Sequence, residues 1–497
     1  MTVPGARNRR GLHRRLAGLL LITALSIHWS GPGALAAPAV YVRQVRLDES
    51  EILPARELEA IVESYEGREV TLADLEQMVD RINALYEARP EYIARAVLPP
   101  QELGDGVVTV RLVEGHIGAI RLEGNAHTRE EFILNHIGLL PGQLVRLDLL
   151  EERIAHINRI HDIWIRAELR PGQALGTTDY VLHVFEPPNR GTQLFAESQQ
   201  DAENGGFRGG LTWSQRSLTG RRDPLTVTAT GGASQLSLSL AYAYPLGTAG
   251  TRLGISVAES RSRVLEGDLA HARLGGASTE ISLEASRPFL FRGNSSLRGY
   301  LLWSTRRSAT LIAGEPVVET GLQSLSARLE YQEQRGATVQ RAVPQITAGG
   351  EGALDDFVTY HLEYTRFTSR PSGGGMEYLV RLQYSPDRTV PAGYQFTLGG
   401  FETLRGYPAS VLTGTSGYFL RAEYRRPFND TIEGLVFLDH GGVQRSDDDG
   451  SASEVLTLSS VGVGVTIVWR RLAGRLTVGV PLNGEHARVN VRLEWTF

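Results

Sequence analysis

Residues 358–365 read Val-Thr-Tyr-His-Leu-Glu-Tyr-Thr, and this stretch decides the fold class. Apolar and polar side chains alternate along it with a period of two, so one face is apolar and the other polar, as in a β-strand between two different surroundings. The same alternation recurs at residues 235–244 and 376–384. The C-terminal part of the chain is therefore predicted to form an antiparallel sheet of many strands.

The number of alternating stretches favours a membrane barrel over a soluble β-sandwich. Residues 190–497 contain about 16 strand candidates, with the spacing expected for membrane strands of roughly ten residues and their connections. A sandwich would rarely need so many strands, and its polar face would look outward. We therefore predict an all-β membrane barrel of about 16 antiparallel strands over residues 190–497, with its apolar face on lipid and its polar face on a wet lumen.

The connections between strand candidates differ in length, as expected of a barrel with short periplasmic turns and longer outer loops. Short turns are predicted at residues 217–221, 427–431 and 470–475, and long loops at residues 261–276, 306–321 and 439–455. This alternation gives the barrel a direction, with the short turns on the side of the N-terminal domains.

The first 36 residues have the layout of a secretory signal peptide. An arginine-rich head precedes an apolar stretch at residues 16–27 and the small-residue site Ala34-Leu35-Ala36. The apolar stretch is short of the ~20 residues that a membrane helix needs, which argues against an anchor. The chain contains no cysteine, so neither disulfides nor thiolate chemistry are available to it. We predict an exported protein with a signal peptide at residues 1–36.

Between the signal peptide and the barrel, two modules repeat the order strand, helix, helix, strand, strand, over residues 39–115 and 116–188. Each is roughly 75 residues long, enough for a small hydrophobic core. In the first module Thr71 followed by Asp74 predicts a capping box at the start of a helix, and a similar spacing predicts another cap at Thr128. The chain is thus predicted to carry two small α/β domains ahead of the barrel.

Motifs for catalysis or metal binding are missing from the sequence. It contains no P-loop, no His-Glu-x-x-His and no Gly-x-Ser-x-Gly pattern. Residues 447–450 lack the alternating ligand spacing of a calcium loop and are predicted to be a solvated outer loop. His361 is predicted to face the lumen rather than a metal. We therefore predict no catalytic residue, no metal and no cofactor, and the slightly negative net charge gives no sign of nucleic-acid binding.

Residues 386–416 form an irregular run between two clear strand candidates, and compact folds rarely carry so long a connection without a task. The run contains Leu404-Arg405-Gly406-Tyr407. An arginine brings a permanent cation with a planar donor fork, a glycine allows close backbone approach, and a tyrosine joins an apolar ring to a polar tip. Further along, Phe437 and Asp439 share one face of an alternating strand, and we expect Asp439 to point into the lumen.

Both halves of the chain resemble a known family. The tandem modules resemble polypeptide-transport-associated (POTRA) domains, and the stretches Pro90–Gln101 and Val113–Gly115 are similar to the first such domain of two-partner secretion transporters. Leu404–Tyr407 resembles the loop motif of the superfamily that also includes barrel-assembly proteins. Phe437-x-Asp439-x-Gly441 resembles the partner motif. The chain is similar to the haemolysin secretion/activation protein family, and the resemblance implies that the loop folds back into the barrel, where Arg405 pairs with Asp439.

The resemblance also implies a function and its partners. It points to a transporter in the outer membrane of a Gram-negative bacterium, with periplasmic POTRA domains, that secretes an unfolded exoprotein by two-partner (type V) secretion. Whether it also activates this client stays open. Outer-membrane lipid and the barrel-assembly machinery, which would read the last strand ending at Phe497, are the other expected partners. Client docking is predicted at an open sheet edge carrying Tyr92, Ile93, Val110 and Leu112.

Two other functions stay open at this point. A barrel insertase or assembly factor of the same superfamily would share the motifs, although the first-domain motif favours secretion. A passive porin is less favoured, because a porin has no use for client-docking domains. Well-studied secretion transporters also carry an N-terminal plug helix, whereas only a few residues separate the predicted cleavage site from the first strand here. We therefore expect closure of the pore to depend on the internal loop.

Overall fold

The computed structural model describes residues 39–198, 206–265, 273–371, 373–445, 454–484 and 486–497. The predicted signal peptide, the segment in which a plug helix is expected to be missing and the acidic stretch at residues 447–450 lie outside these ranges. The chain divides into two compact units, Met1–Pro90 with Ala94–Glu114, and Glu91–Ile93 with Gly115–Phe497.

The first unit is a small α/β module. Its elements are β1 (Ala39–Val42), β2 (Gln44–Leu47), α1 (Ala55–Val62), β3 (Arg68–Thr71), α2 (Leu72–Glu87), β4 (Ala94–Val97) and β5 (Val107–Glu114). The predicted capping box at the start of α2 is confirmed, because Thr71 Oγ1 accepts from the Asp74 N–H (3.3 Å) and Asp74 Oδ2 accepts from the Thr71 N–H (2.8 Å). The helices cover one face of the three-stranded sheet β2-β5-β4, and apolar side chains of both layers form the core.

The second unit begins with another α/β module. It consists of β6 (His116–Glu123), α3 (Glu130–Ile137), α4 (Leu147–Ile160), β7 (Trp164–Pro171) and β8 (Thr177–Phe185), with sheet order β6-β8-β7. The cap predicted at Thr128 is wrong. The N-cap of α3 is Arg129, whose N–H donates to Gly220 O (2.9 Å), while Thr128 is buried and its hydroxyl has no partner among the described residues. None of the described helices is long and apolar enough to cross a membrane.

The rest of the second unit is a closed barrel, which confirms the predicted antiparallel fold of about 16 strands. The barrel strands are β9 (Arg190–Ser198), β10 (Phe207–Gln215), β11 (Leu225–Gly232), β12 (Gln235–Leu246), β13 (Thr251–Arg263), β14 (Leu274–Arg292), β15 (Ser295–Ile312), β16 (Glu315–Arg335), β17 (Thr338–Gly350), β18 (Phe357–Ser369), β19 (Gly375–Tyr384), β22 (Ser416–Pro427), β23 (Ile432–Arg445), β24 (Glu454–Trp469), β25 (Leu472–Pro481) and β26 (Arg488–Thr496). The connection between β19 and β22 contains a 3₁₀ turn (Ala392–Tyr394) and the small hairpin β20 (Phe396–Leu398) and β21 (Leu412–Gly414). β26 pairs with β9 and closes the wall, so the sheet has no free edge.

The period-two alternation places apolar side chains on the outside of the wall. Tyr360 is exposed on β18, while the preceding Thr359 is buried toward the lumen. The long loop predicted at residues 306–321 is wrong, because β15 and β16 continue as a paired hairpin across that region. Beyond the lipid both faces of a hairpin meet water, so the alternation of the sequence fades while the backbone pairing continues.

Candidate functional site in the barrel lumen

The connection between β19 and β22, residues 385–415, crosses the inside of the barrel. The Tyr394 hydroxyl donates to Ser324 Oγ on β16 (2.8 Å), and Asn490 Nδ2 on β26 donates to the carbonyl oxygen of Arg405 (3.0 Å). Counted from β9, these two strands are the eighth and the sixteenth of the wall, so they lie on opposite sides of the lumen. The loop therefore spans the pore, as the resemblance implies.

Backbone bonds close the tip of the loop into a compact turn. The Gly400 N–H donates to Tyr407 O (3.1 Å), and the Tyr407 N–H donates to Leu404 O (3.0 Å). The hydroxyl of Thr403 accepts from the Gly399 N–H (2.7 Å) and donates to Gly399 O (2.9 Å). The tip thus has its own hydrogen bonds and presents Arg405 to the wall as part of a defined structure.

Arg405 is paired with Asp439 of β23 in the geometry that a guanidinium and a carboxylate prefer. Arg405 Nε donates to Asp439 Oδ2 (2.8 Å) and Nη2 donates to Oδ1 (2.9 Å), a bidentate pair. The main-chain N–H of Arg405 adds a third bond to the same carboxylate (3.3 Å). The side chains of Arg405 and Asp439 are 1% and 0% exposed, so the pair is shielded from water.

A second carboxylate, which the sequence analysis missed, completes the site. Glu423 of β22 is fully buried and accepts from Arg405 Nη1 (2.6 Å). It also accepts from Arg475 Nη2 of β25 (2.7 Å) and from Arg425 Nε (2.8 Å). Glu423 lies on the lumen face of a strand with alternating side chains, and this position is the only feature of the sequence that could have indicated its role.

The wall supplies its own cations around the two carboxylates. Arg421 Nε donates to Asp439 Oδ1 (2.9 Å), and its Nη2 donates to the carbonyl oxygen of Thr403 in the loop (2.8 Å). With Arg425 and Arg475, the wall places three arginines beside Asp439 and Glu423. Both carboxylates therefore keep charged partners even without the loop. We call the four arginines and the two carboxylates the lumen node.

The aromatic residue of the partner motif contacts the flat face of Arg405. The guanidinium carbon lies 3.3 Å from the centroid of the Phe437 ring, within reach of a cation–π interaction. Phe437 and Asp439 are two residues apart on β23 and project to the same face. One strand therefore provides both the charged partner and the stacking surface, which is why an arginine rather than a lysine suits this place.

Gly406 and Tyr407 fix the loop tip against the strands beyond the node. A Cβ at Gly406 would lie 2.8 Å from Ser460 Cβ and 2.9 Å from the nitrogen of Pro481, so only glycine allows this close approach. The Tyr407 hydroxyl donates to Ser459 O on β24 (3.0 Å). Both motif residues therefore have positioning roles that follow from their type.

The remaining motif residues seat the loop by packing. Leu404 is fully buried in a cluster that joins loop and wall, whose other members are Leu379, Phe396, Leu398, Tyr407, Phe419 and Val443. At Gly441 on β23 a Cβ would come within 2.9 Å of Leu398 Cδ1, so the glycine makes room for the loop hairpin. The structure thus brings all seven predicted lumen residues together, and their contacts hold the loop against the barrel wall. Within the described residues, no group of three or more His, Cys, Asp or Glu side chains is placed to hold a metal ion.

The four residues predicted for client docking fall into different surroundings. Val110 and Leu112 lie on β5, the central strand of its sheet, with side chains in the core of the first unit. Both were predicted at a sheet edge, because alternation alone does not show that β2 pairs on the far side of β5. Tyr92 and Ile93 belong to the second unit, where Tyr92 bridges to Arg146 and Ile93 is exposed.

A second buried arginine lies where the second module meets the barrel. Arg222, in the turn between β10 and β11, has a left-handed φ of 57° and a fully buried side chain. Its Nε donates to Asp162 Oδ1 (2.8 Å), just after α4. Ser217 Oγ donates to the carbonyl oxygen of His127 (3.0 Å) in the same junction. These contacts tie the periplasmic turn of the barrel to the module, and no sequence motif indicated them.

Two histidines pack behind the junction. His161 Nε2 lies 3.2 Å from His136 Nε2, and Arg252 of β13 contacts His161 Nδ1 at 3.3 Å. Burial lowers the pKa of His161 to about 2, and the neighbouring His136 and Arg252 act in the same direction. Burial also lowers the pKa of His136. Both imidazoles are therefore neutral at neutral pH.

Together, the closed barrel, the tandem modules and the loop that crosses the lumen define the class of outer-membrane transporters with POTRA domains. Residues 40–115 match the model for the POTRA domain, ShlB-type, and residues 200–467 match the model for the haemolysin secretion/activation protein ShlB/FhaC/HecB. The chain belongs to this family. The predicted resemblance is confirmed, and with it the outer-membrane location and the assignment to two-partner secretion.

Similar proteins span most of the chain. The heme/hemopexin transporter protein HuxB of Haemophilus influenzae (strain 86-028NP) is 22% identical over 482 residues, which cover 87% of this chain and 81% of that protein. The outer membrane transporter CdiB of Dickeya dadantii (strain 3937) is 24% identical over 486 residues, which cover 90% of this chain and 84% of that protein. Both relatives match the modules and the barrel together.

Solved structures show the same fold. CdiB from Escherichia coli has a TM-score of 0.62 at 19% identity and covers 96% of this chain and 94% of its own. BamA from Haemophilus ducreyi lacking POTRA domains 1–3 has a TM-score of 0.59 at 12% identity and covers 93% of this chain and 100% of its own. At these identities the likeness concerns the architecture, which transporters and assembly factors share.

Proposed function

We propose that this chain secretes one unfolded exoprotein through the lumen of its barrel, and that the loop held by Arg405 is the gate on this route. The observation that carries the proposal is the path of the loop, which is bonded to β16 on one side and to β26 on the other. A chain passing through the lumen has to displace this loop. The function uses binding and displacement only, and no residue is assigned a catalytic role.

The composition of the lumen node supports a gate that can be released. When Arg405 leaves, Asp439 keeps its bond from Arg421, and Glu423 keeps those from Arg425 and Arg475. The wall carboxylates are then still paired, which removes most of the cost of leaving a buried charge alone. The loop can therefore move without destabilising the barrel that it closes.

We further propose that the POTRA domains receive the client as an added strand. β7 lies at the edge of the sheet of the second module and exposes Trp164 and Leu169. An extended segment that pairs with such an edge gains backbone hydrogen bonds, and the exposed side chains add apolar contacts. Tyr92 and Ile93 remain docking candidates, while Val110 and Leu112 would act only through the core that supports β4.

The last strand is proposed to be the segment that the barrel-assembly machinery reads. Phe497 stacks on Trp495 with ring centroids 5.4 Å apart, and both rings are exposed on the outer wall. The Phe497 N–H donates to Thr192 O of β9 (2.8 Å), so the end of the chain takes part in barrel closure. This aromatic pair lies at the seam and is accessible until closure is complete.

Quantitative proteomics of a deletion strain tests the proposed function. The bacterium lacking this chain should lose one large exoprotein from its culture supernatant, and a plasmid copy should restore it. An insertase would instead lower the amounts of many barrel proteins in the outer membrane. An unchanged supernatant together with an unchanged membrane would leave a passive pore as the better reading and overturn the proposal.

Bridging the loop to the wall tests the route through the lumen. The chain has no native cysteine, so Tyr394→Cys with Ser324→Cys can be joined selectively by a short bifunctional thiol reagent. Export of the exoprotein should stop after bridging and continue in the untreated variant. The matched control is Leu240→Cys with Val257→Cys, an outward-facing neighbour pair on β12 and β13. Normal export through the bridged loop would contradict the gate.

A further inference from the structure

The outer wall between β14 and β18 carries an apolar groove that the secretion route does not use. It has a volume of about 600 Å³. Register pairs place Ala285, Leu301, Ala327, Ile346 and Tyr360 side by side on the outer face. Ala285 and Ala327 are the low positions of this row, and the exposed Leu301, Ile346 and Tyr360 stand beside them. The groove therefore runs across several strands of the lipid-facing surface.

Two irregularities of the wall shape this groove. The register between β14 and β15 shifts at Phe289, a β-bulge that turns its ring over Gly299, where a Cβ would lie 2.3 Å from Phe289 Cε2. Pro344 on β17 has no N–H to donate, and the pairing of β16 with β17 is interrupted opposite it. Both residues line the groove. Its shape thus follows from the backbone and not from chance side-chain positions.

A cation stands at the periplasmic end of the groove. Arg287 lines it and is exposed, and within the described residues its side chain forms no hydrogen bond or ion pair. Its neighbour Ser286 pairs with Arg252, the second residue of β13. The turn before β13 contacts the second POTRA domain, since His156 Nε2 lies 2.9 Å from Thr248 O. Arg287 is therefore level with the periplasmic rim of the wall.

We propose that this groove binds one glycerophospholipid of the periplasmic leaflet, with its phosphate on Arg287 and an acyl chain in the apolar groove beside Ala327. An outward arginine is most costly at the bilayer midplane and least costly near the interface, so the rim is where it is tolerated. A phosphate diester offers two non-bridging oxygens, which a guanidinium fork can bind as a pair. Arg328 also lines the groove but is paired with Glu284, so Arg287 is the arginine left for a ligand. An apolar channel of this size beside such an arginine is the form of a lipid-sized site.

Lipid retention measured by native mass spectrometry tests the site. The full-length protein in detergent micelles is offered either dioleoylphosphatidylglycerol or dioleoylglycerol, which has the same acyl chains but no phosphate. One phospholipid should stay bound per barrel, and dioleoylglycerol should be retained roughly tenfold less, as expected for a charge-assisted contact. Arg287→Gln should abolish this preference, and Ala327→Leu, which narrows the groove, should weaken retention of both lipids.

The control variant is Arg366→Gln, which removes another exposed arginine on the same face of β18 as Tyr360, outside the groove. It should retain phospholipid like the unmodified protein. The proposal would be overturned by an equal loss of bound phospholipid in Arg366→Gln and Arg287→Gln, by equal retention of the two lipids, or by the absence of any retained lipid. So would a dimer mass that disappears in Ala327→Leu, because the groove would then hold a second copy. The lipid-retention test does not measure secretion, so its failure would leave the proposed function unaffected.

Discussion

Arg405 and Arg222 are both buried arginines of the same compact unit, but their surroundings differ. Arg405 donates to Asp439 and Glu423, which are both inaccessible to solvent, and its guanidinium lies on the Phe437 ring. Arg222 has one carboxylate partner, Asp162, whose side chain is 39% exposed. Its Nη1 has no hydrogen-bond partner within the described residues. One site is closed to solvent at Arg405 and at both of its carboxylate partners, and the other is only half shielded.

The difference shows where the molecule is held firmly and where it can open. Breaking a buried pair is costly when the separated charges stay in dry surroundings, whereas an exposed partner is rehydrated at once. The lumen node therefore fixes the loop, while the junction of the second POTRA domain with the barrel is the weaker contact. We expect the junction to open before the loop does when the protein is perturbed.

The largest expected effect is the loss of the loop contact in Arg405→Ala. The wall arginines keep both carboxylates paired in this variant, so the loss stays well below the ~3–5 kcal/mol of an unpaired buried charge. Each loss of about 1.4 kcal/mol lowers the equilibrium constant for seating the loop tenfold. We expect this constant to fall at least tenfold and export to fall with it. Arg405→Lys should recover only part of the export, because an ammonium lacks the bidentate fork.

The same variants should still insert as barrels, because the three wall arginines leave both carboxylates paired. Heat-modifiable migration in SDS measures this. Arg426→Ala, at an exposed position of β22, is the matched control and should export normally. Wild-type export by Arg405→Ala would show that the lumen node is not what holds the loop.

The two carboxylates should contribute unequally. Asp439 receives two side-chain bonds and one main-chain bond from the arginine, whereas Glu423 receives a single one. In double-mutant cycles with Arg405→Ala, the coupling to Asp439→Ala should be roughly 1–3 kcal/mol and exceed the coupling to Glu423→Ala. A Leu404→Cys reporter, buried in the seated loop, measures the detached fraction by its labelling rate with maleimide. Equal couplings would contradict the bidentate pair as the main contact.

A smaller effect is expected at the junction. Arg222→Gly keeps the left-handed backbone accessible and removes only the side-chain contacts, whereas Arg222→Ala also strains the turn. Because Asp162 is partly exposed, we expect a loss of about 1 kcal/mol, or roughly a fivefold rise in hydrogen exchange at the turn. The loop tip should keep its protection, and export should fall less than in Arg405→Ala.

The control is Arg216→Ala, which removes an exposed arginine 3.3 Å from the same carboxylate and should change exchange little. If Arg222→Gly reduces export as strongly as Arg405→Ala, the two sites do not differ in the way that their burial indicates.

A further effect, which needs no substitution, concerns acidification of the second POTRA domain. The pKa of His161 is lowered to about 2 in the folded state and is near 6.5 when unfolded. Below pH 6.5 the unfolded state therefore binds a proton that the folded state does not, so the free energy of unfolding falls as the pH drops. The slope is up to about 1.4 kcal/mol per pH unit.

Hydrogen exchange of α4, corrected for intrinsic rates and referred to α2 of the first unit, measures this loss between pH 7.5 and 5.5. His161→Phe should remove the contribution of His161 and leave that of His136, so the pH dependence of exchange in α4 should become weaker. If exchange in α4 had the same pH dependence as in α2, the buried histidines would not be what destabilises this domain at low pH.

The sequence by itself determined the barrel, the two modules and the two motifs of the lumen. Period-two alternation is a local property that each strand carries separately, so the number and type of strands could be predicted without their partners. The capping box at Thr71 is equally local, since donor and acceptor are three residues apart. The motif resemblance paired Arg405 with Asp439, and in the structure the two side chains form a bidentate ion pair.

Predictions failed where a residue's role depends on a distant segment. The cap at Thr128 is displaced by a bond from Arg129 to the barrel turn at Gly220. Val110 and Leu112 lie on a central strand because β2 pairs in parallel from far upstream. Residues 306–321 were predicted to be a loop but lie almost entirely in β15 and β16, because strand pairing continues where the alternation of apolar and polar residues ends.

Only the tertiary structure decided which charges meet. Arg421, Arg425 and Arg475 face the same lumen, and their alternation on β22 and β25 does not say which carboxylate each one reaches. That choice is set by the stagger of neighbouring strands and by the path of the loop, which no local pattern records. The pair of Arg222 with Asp162 joins segments 60 residues apart, and the outer groove depends on a bulge and a proline in different strands. Such contacts exist only once the barrel has closed.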